Sequence, residues 1–193
     1  MRRLAAAAAL SALLLTGCAN STTPQPVASA SSTAGQALLA RYGLDNKTTV
    51  EIIDRLDRLG GTDRPADLKA SVRRDALIVT GGTQEFSLAI PNDRFYLSVA
   101  PYVDKTHECF YHSLTTCKGE LGGKDIQVTI VDKTHDRVLV DEQRTVFANG
   151  FTGFWLPRDI KGTLRVSSGG KVAETAFTTD KDAPTCLTTL RLS

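Results

Sequence analysis

Beyond residue 65 the hydrophobic pattern of this chain has a period of two. Runs at 68–72, 76–80, 85–90, 95–103, 126–132, 138–147, 152–156, 162–166, 172–178 and 186–192 are rich in β-branched and aromatic residues. Gly81-Gly82, Pro91-Asn92-Asp93, Asn149-Gly150 and Gly169-Gly170 separate several of them. Many short strands punctuated in this way predict an antiparallel, immunoglobulin-like β-sandwich or barrel. Ahead of them the period is helical. Thr48-x-x-Glu51 has the form of a capping box, Val50, Ile53, Leu56 and Leu59 recur on one face, and Gly60-Gly61 supplies a C-cap. A shorter apolar stretch at 37–42 predicts another helix, ending at Gly43. The fold class is therefore mainly β with a small α-helical N-terminal segment. The apolar face of that segment must cover either the domain that follows or the same segment of a second copy, and the sequence leaves both open, a homodimer included.

The first residues are not part of this fold. Met1-Arg2-Arg3 precedes an apolar run at 4–15 that ends in Leu15-Thr16-Gly17-Cys18. A basic start and about a dozen apolar residues fit a secretory signal peptide and fall short of the roughly 20 that a spanning helix needs. Small residues before Cys18 form a lipobox, which makes Cys18 the acylated first residue of the mature chain. Two acyl chains anchor stably where one is marginal. The chain is thus expected outside the cytoplasm, held to a membrane by lipid only, on the periplasmic or outer cell-surface side. The Ser, Thr, Ala, Pro and Gln that follow cannot bury enough surface to offset ordering entropy and read as a tether. The expected organisation is a signal peptide at 1–17, a tether at 18–35, a small helical and strand region at 36–82, and an antiparallel β domain at 83–193.

A formal charge of +2, with basic and acidic residues interspersed and no basic stripe, argues against nucleic acid. The chemistry gathers elsewhere, in the stretch 107–120 between the strands ending at 103 and starting at 126. It holds two of the chain's four cysteines, Cys109 and Cys117, and two of its three histidines, His107 and His112. A loop of this length inside a compact domain is functional or disordered, and this density of metal-ligand types points to function. Cys109 and Cys117 would lie roughly 12 Å apart along a helix and roughly 26 Å apart along a strand. For the two to act together the chain must fold back between them, through 113–116. Cys109 and His112 share a face if a helical turn begins at Cys109. The set is still incomplete and needs a ligand from elsewhere.

With Cys18 acylated, three cysteines remain, an odd number for an oxidising compartment. One reading is a disulfide, such as Cys109–Cys117, beside a buried free thiol. The other brings Cys186, on the last strand after Pro184-Thr185, to the loop across an antiparallel sheet. Three thiolates, or two with His112, suit Cu(I), and zinc is the main competitor because Cys3His is a tetrahedral zinc set.

Other residues carry less. His107 reads as a ligand or a solvated loop residue with equal weight. His135 belongs to a hairpin turn, Phe154 and Trp155 to the core, Glu108 and Glu120 to the surface, and the charged 54–58 to the wet face of the helix. No hydrolytic triad, phosphate loop or catalytic carboxylate pair is present, so no enzyme is expected. The absence of Cys-x-x-Cys disfavours a thiol-disulfide oxidoreductase. A lipoprotein stapled by a disulfide and binding another protein stays as the alternative.

The segment from Cys109 to Leu121, with its Cys-x2-His-x4-Cys spacing, the later Gly153-Phe154-Trp155-Leu156-Pro157-Arg158, and the closing Pro184-Thr185-Cys186-Leu187-Thr188-Thr189-Leu190 together resemble the CueP family of periplasmic copper-binding proteins. The resemblance runs from the first helix to the C-terminus. It implies periplasmic copper resistance, with copper bound through Cys109, Cys117 and Cys186 and His112 as the matching histidine. It also implies thiol-dependent reduction of Cu(II) to Cu(I), and delivery to a partner such as a Cu,Zn superoxide dismutase. A disulfide releases two electrons and each copper takes one, so such reduction is stoichiometric unless a reductant resets the thiols. The lipobox departs from the family pattern, whose familiar members are soluble.

Overall fold

The computed structural model describes residues 33–193. The signal peptide, the lipobox with Cys18 and most of the tether lie outside the described residues. Two helices, α1 (Thr33–Ala40) and α2 (Thr49–Asp57), lead into ten strands. These are β1 (Leu68–Val72), β2 (Ala76–Gly81), β3 (Gln84–Ala89), β4 (Arg94–Val99), β5 (Asp125–Asp132), β6 (Arg137–Thr145), β7 (Thr152–Pro157), β8 (Lys161–Ser168), β9 (Lys171–Thr178) and β10 (Cys186–Leu187). They form three sheets, ordered β1-β2-β3, β10-β4-β7 and β6-β5-β8-β9. The fold is mostly β with a small helical lead-in, as the periodicity predicts. None of the helices described is long and apolar enough to cross a membrane.

The sheet β10-β4-β7 lies between two cores. On β4, Phe95, Leu97 and Val99 face the four-stranded sheet and meet Val128 and Ile130 of β5 and Leu164 and Val166 of β8. Tyr96, between them, faces the other way, into a core built from Ile52, Ile53 and Leu56 of α2, Leu68 and Val72 of β1, and Leu38 and Leu39 of α1. Successive side chains of a strand point to opposite faces, so a strand covered on both sides is apolar throughout, and β4 is buried from Phe95 onward. The lead-in therefore covers this chain's own sheet. Arg158 ties the layers together, donating to the carbonyls of Arg94, Arg74 and Pro91 at 2.7, 3.1 and 3.1 Å and pairing with Asp75.

Several expectations need correction. The capping box of Thr48 and Glu51 is present, but α2 ends on Arg58 as C-cap, before Gly60 and Gly61. Its buried face is Ile52, Ile53, Leu56 and Asp57, with Val50 only half-buried. The charged 54–58 is therefore not simply a wet face. The strand at 95–103 stops at Val99 because the chain leaves for the long loop, and the last strand is two residues long. It pairs parallel to β4, with Cys186 beside Ser98, where an antiparallel neighbour was expected.

Candidate metal centre

The loop from 103 to 124 is held by its own polar groups. Glu120, read from the sequence as a plain surface residue, accepts the backbone N–H groups of Val103, Asp104 and Lys105 through one carboxylate oxygen at 3.0, 3.0 and 2.9 Å. Further along, Ser113 bridges antiparallel to Ser71 of β1. His112 accepts from the backbone N–H of Val72 at 2.8 Å, and Leu114 donates to Ala70 at 2.9 Å. No helical turn joins Cys109 to His112. The chain bends at 110–111 and reverses through 114–116, where the N–H of Cys117 reaches the carbonyl of Ser113 at 3.1 Å. That reversal, anchored on β1, brings Cys109 and Cys117 back together.

Cys186 arrives by strand parity. Leu187 enters the sandwich core, so Cys186 faces the opposite side, against Ala100 and Phe151. Thr185 fixes that end of the strand: its hydroxyl donates to the Val72 carbonyl at 2.8 Å and accepts the His112 N–H at 3.0 Å. One ligand atom each from Cys109, His112, Cys117 and Cys186 falls within 4.8 Å of the others. Cys109 and Cys186 are joined in a disulfide with their Cα atoms 5.6 Å apart, and Cys117 is the free thiol among the described residues. The pairing Cys109–Cys117 is therefore not the one formed, although those two sulfurs are 3.6 Å apart.

The groups behind the ligands were not legible as a site. His112 is fully buried, and its Nε2 lies 2.6 Å from Oδ1 of Asp57, also fully buried, while its Nδ1 faces Cys186 Sγ at 3.7 Å. Asp57 accepts from Tyr96 at 2.6 Å and Ser98 at 3.2 Å on one oxygen, and from Asn149 at 3.0 Å on the other. The signal for Asp57 was its place four residues after Ile53, on the apolar face of α2, where an unpaired carboxylate is costly. Gly153 makes room for the Tyr96 contact, since a Cβ there would come within 1.8 Å of the Tyr96 hydroxyl oxygen. Asn149 is held by a second close approach: Gly119 N–H bonds the Asn149 carbonyl at 2.8 Å, and a Cβ on Gly119 would meet the Gly150 carbonyl oxygen at 2.1 Å.

These contacts set the charges. Burial works to raise the pKa of Asp57, and the charge and hydrogen bond of His112, with the bonds from Tyr96 and Asn149, outweigh it and hold the carboxylate below its ordinary value. Burial alone would lower His112, but the charge and hydrogen bond of Asp57 and the nearby Cys117 raise it to about 9. Burial likewise pushes the Cys117 thiol up, while the hydrogen bond and charge of His112 and the proximity of His107 bring it down to about 7. Cys117, His112 and Asp57 thus stand in series, each favouring the charged form of its neighbour. A carboxylate behind a ligand histidine fixes its ring and leaves one nitrogen facing the metal. Here Asp57 holds Nε2, and the nitrogen turned towards the sulfurs is Nδ1.

The remaining sequence candidates sort by location. His107 lies against Cys117 but outside the four-residue cluster. His135 pairs with Asp132 at 2.8 Å in the β5–β6 hairpin, remote in sequence from the loop and outside the cluster. Phe154 is core, and Trp155 packs on Tyr96 and donates to Asp54 at 2.8 Å. Phe110 and Tyr111 are the large exposed aromatics beside the disulfide, 50% and 44% exposed, with Arg73 stacked on Tyr111.

The family model of the Periplasmic copper-binding protein CueP matches residues 51–191. The crystal structure of S.CueP superposes with a TM-score of 0.78 at 42% identity, covering 86% of this chain and 100% of that one. Among curated proteins none matches. The half-buried Cys3His cluster lies wholly inside the matched region, and the chain belongs to the CueP family of periplasmic copper-binding proteins.

Proposed function

We propose that this protein sequesters copper as Cu(I) through the thiolates of Cys109, Cys117 and Cys186, with His112 Nδ1 as the fourth donor. One observation carries this reading: those four side chains, drawn from a loop and the last strand, bring their ligand atoms within 4.8 Å of one another. A soft sulfur set favours Cu(I). Zinc competes for the same donors. When the ion arrives as Cu(II), two thiolates closing to the Cys109–Cys186 disulfide release two electrons, which reduce two copper ions to Cu(I). The reaction is stoichiometric, and a thiol reductant resets it.

In this role the protein, tethered through Cys18, protects the envelope from copper and passes it to a recipient such as a Cu,Zn superoxide dismutase. The disulfide favours a second reading, a stapled β-sandwich that binds a protein partner. A free thiol lowered to about 7 and an imidazole aimed at the sulfurs have no part in a staple. Anaerobic titration of the fully reduced chain with Cu(I) against a competing chelator separates the two. Tight one-to-one binding that collapses in Cys186→Ser supports the copper site. Binding that never outcompetes the chelator, or survives the substitution, supports the staple.

A further inference from the structure

The three site sulfurs are not equivalent. Cys109 Sγ is bonded to Cys186 and also touches Cys117 Sγ, at 3.6 Å. Cys117 is held there by the reversal at 113–116: its N–H reaches the Ser113 carbonyl at 3.1 Å, and its sulfur accepts the Ser113 N–H at 3.4 Å. A hydrogen bond to sulfur favours the thiolate, which is the attacking species in thiol–disulfide exchange. Cys186 is sealed in, at 2% exposure, with His112 Nδ1 facing its sulfur at 3.7 Å. Cys109 and Cys117 are only half-buried. A free thiol, a disulfide within its reach and a ring nitrogen beside the sulfur that would leave are therefore already assembled.

We propose that Cys109 is a pivot, and that Cys117 is the internal nucleophile that moves the disulfide from Cys109–Cys186 to Cys109–Cys117. Cys117 gives up its proton and its sulfur attacks Cys109 Sγ. The Cys117–Cys109 bond forms, the Cys109–Cys186 bond breaks, and the electron pair of the broken bond leaves on Cys186, which takes up a proton. One disulfide and one thiol stand on each side of the step, so it needs no oxidant, reductant or metal. An S–S bond is about 2.05 Å long, which leaves Cys117 Sγ roughly 1.5 Å to travel from its present contact. The exchange changes what solvent can reach. Cys109–Cys186 has one sulfur sealed in the core, whereas Cys109–Cys117 joins two half-buried sulfurs, either of which an external thiol can attack. The inference goes beyond the copper reading, and because the exchange proceeds without copper, either can fail alone.

The test uses the metal-free chain with Cys18→Ser, so that only the three site sulfurs count, prepared with the Cys109–Cys186 disulfide closed. It is held anaerobically in mildly alkaline buffer and quenched in acid. The one thiol is then alkylated with N-ethylmaleimide in acid denaturant and located by peptide mapping. Label is expected on Cys117 and on Cys186, with Cys109 spared because the pivot is bonded in both forms. Label on Cys117 alone overturns the proposal, as does label on all three, which marks random reshuffling. Two variants test the step separately. Cys186→Ser should close a Cys109–Cys117 disulfide under glutathione disulfide, and failure to do so overturns the proposal. Cys117→Ser, which keeps the original disulfide but has no internal nucleophile, should be reduced by glutathione at least about tenfold more slowly than the parent. An equal rate overturns the role given to Cys117.

Discussion

Asp57 Oδ1 lies 2.6 Å from His112 Nε2 in a pair with no solvent exposure on either side chain. It joins the last residue of α2 to the loop that carries Cys109, His112 and Cys117, and so couples the folding of the lead-in to the geometry of the candidate metal centre. Removing one member of a buried ion pair strands the other, at about 3–5 kcal/mol. Asp57→Ala should lower the stability of the apo protein by about 3 kcal/mol in a denaturant titration. Asp57→Asn keeps the shape and loses the charge, and should weaken Cu(I) binding about 10–100-fold, as is usual for the partner behind a ligand histidine. Unchanged affinity in Asp57→Asn would mean that His112 does not need orienting.

The same pair sets a pH window. His112 is raised from 6.5 to about 9 in the folded protein, so its contribution to stability is fully present below pH 6.5 and is lost as pH rises through about 9. Asp57 is depressed, so its contribution is present above the ordinary carboxylate range and is lost in acid. Apo stability measured by urea titration should fall between pH 7 and pH 10, and His112→Gln should flatten that fall. A flat profile in the parent protein contradicts the ion pair.

Cys117 is lowered to about 7, with His112 and His107 outweighing its burial. The thiolate is the reactive form. Alkylation of Cys117 in the disulfide protein should therefore reach half its maximum rate near pH 7. In His112→Gln the midpoint should move up towards the ordinary thiol value. A midpoint that stays put assigns the shift to some other group.

Gly153 is needed for its lack of a side chain. A Cβ there collides with the Tyr96 hydroxyl that donates to Asp57. Gly153→Ala should cost about 1–3 kcal/mol by overpacking, and Tyr96→Phe about 1–3 kcal/mol by leaving the buried carboxylate one donor short. Thermal melts of the two single variants and the double variant test the link. Because both act on one contact, the double variant should lose less than the sum. Strict additivity would show two independent sites.

The elements were legible in the sequence where local rules govern them. The capping box of Thr48 and Glu51 and the alternation along β5 are examples, and the reversal at 113–116 was forced by the spacing of Cys109 and Cys117. The site was legible as a set of ligand types. What supports it was not, for a physical reason: Tyr96 and Asn149 reach Asp57 across separations of 39 and 92 residues. Their pairing exists only once α2, β4 and the approach to β7 are packed. Asp57 read as part of a wet face because four of the five residues at 54–58, itself included, are charged. The sulfur pairing was equally out of reach, since Cys186 reaches Cys109 through a parallel β4–β10 contact that no period-two pattern specifies.

The central claim is that copper sits among three sulfurs and one imidazole drawn from loop and last strand. X-ray absorption at the copper edge of the fully reduced, Cu(I)-loaded protein tests it most directly. The account predicts a first shell dominated by sulfur with a single imidazole, losing the imidazole in His112→Gln and one sulfur in Cys186→Ser. A shell of oxygen and nitrogen alone, or one unchanged in both variants, would contradict it.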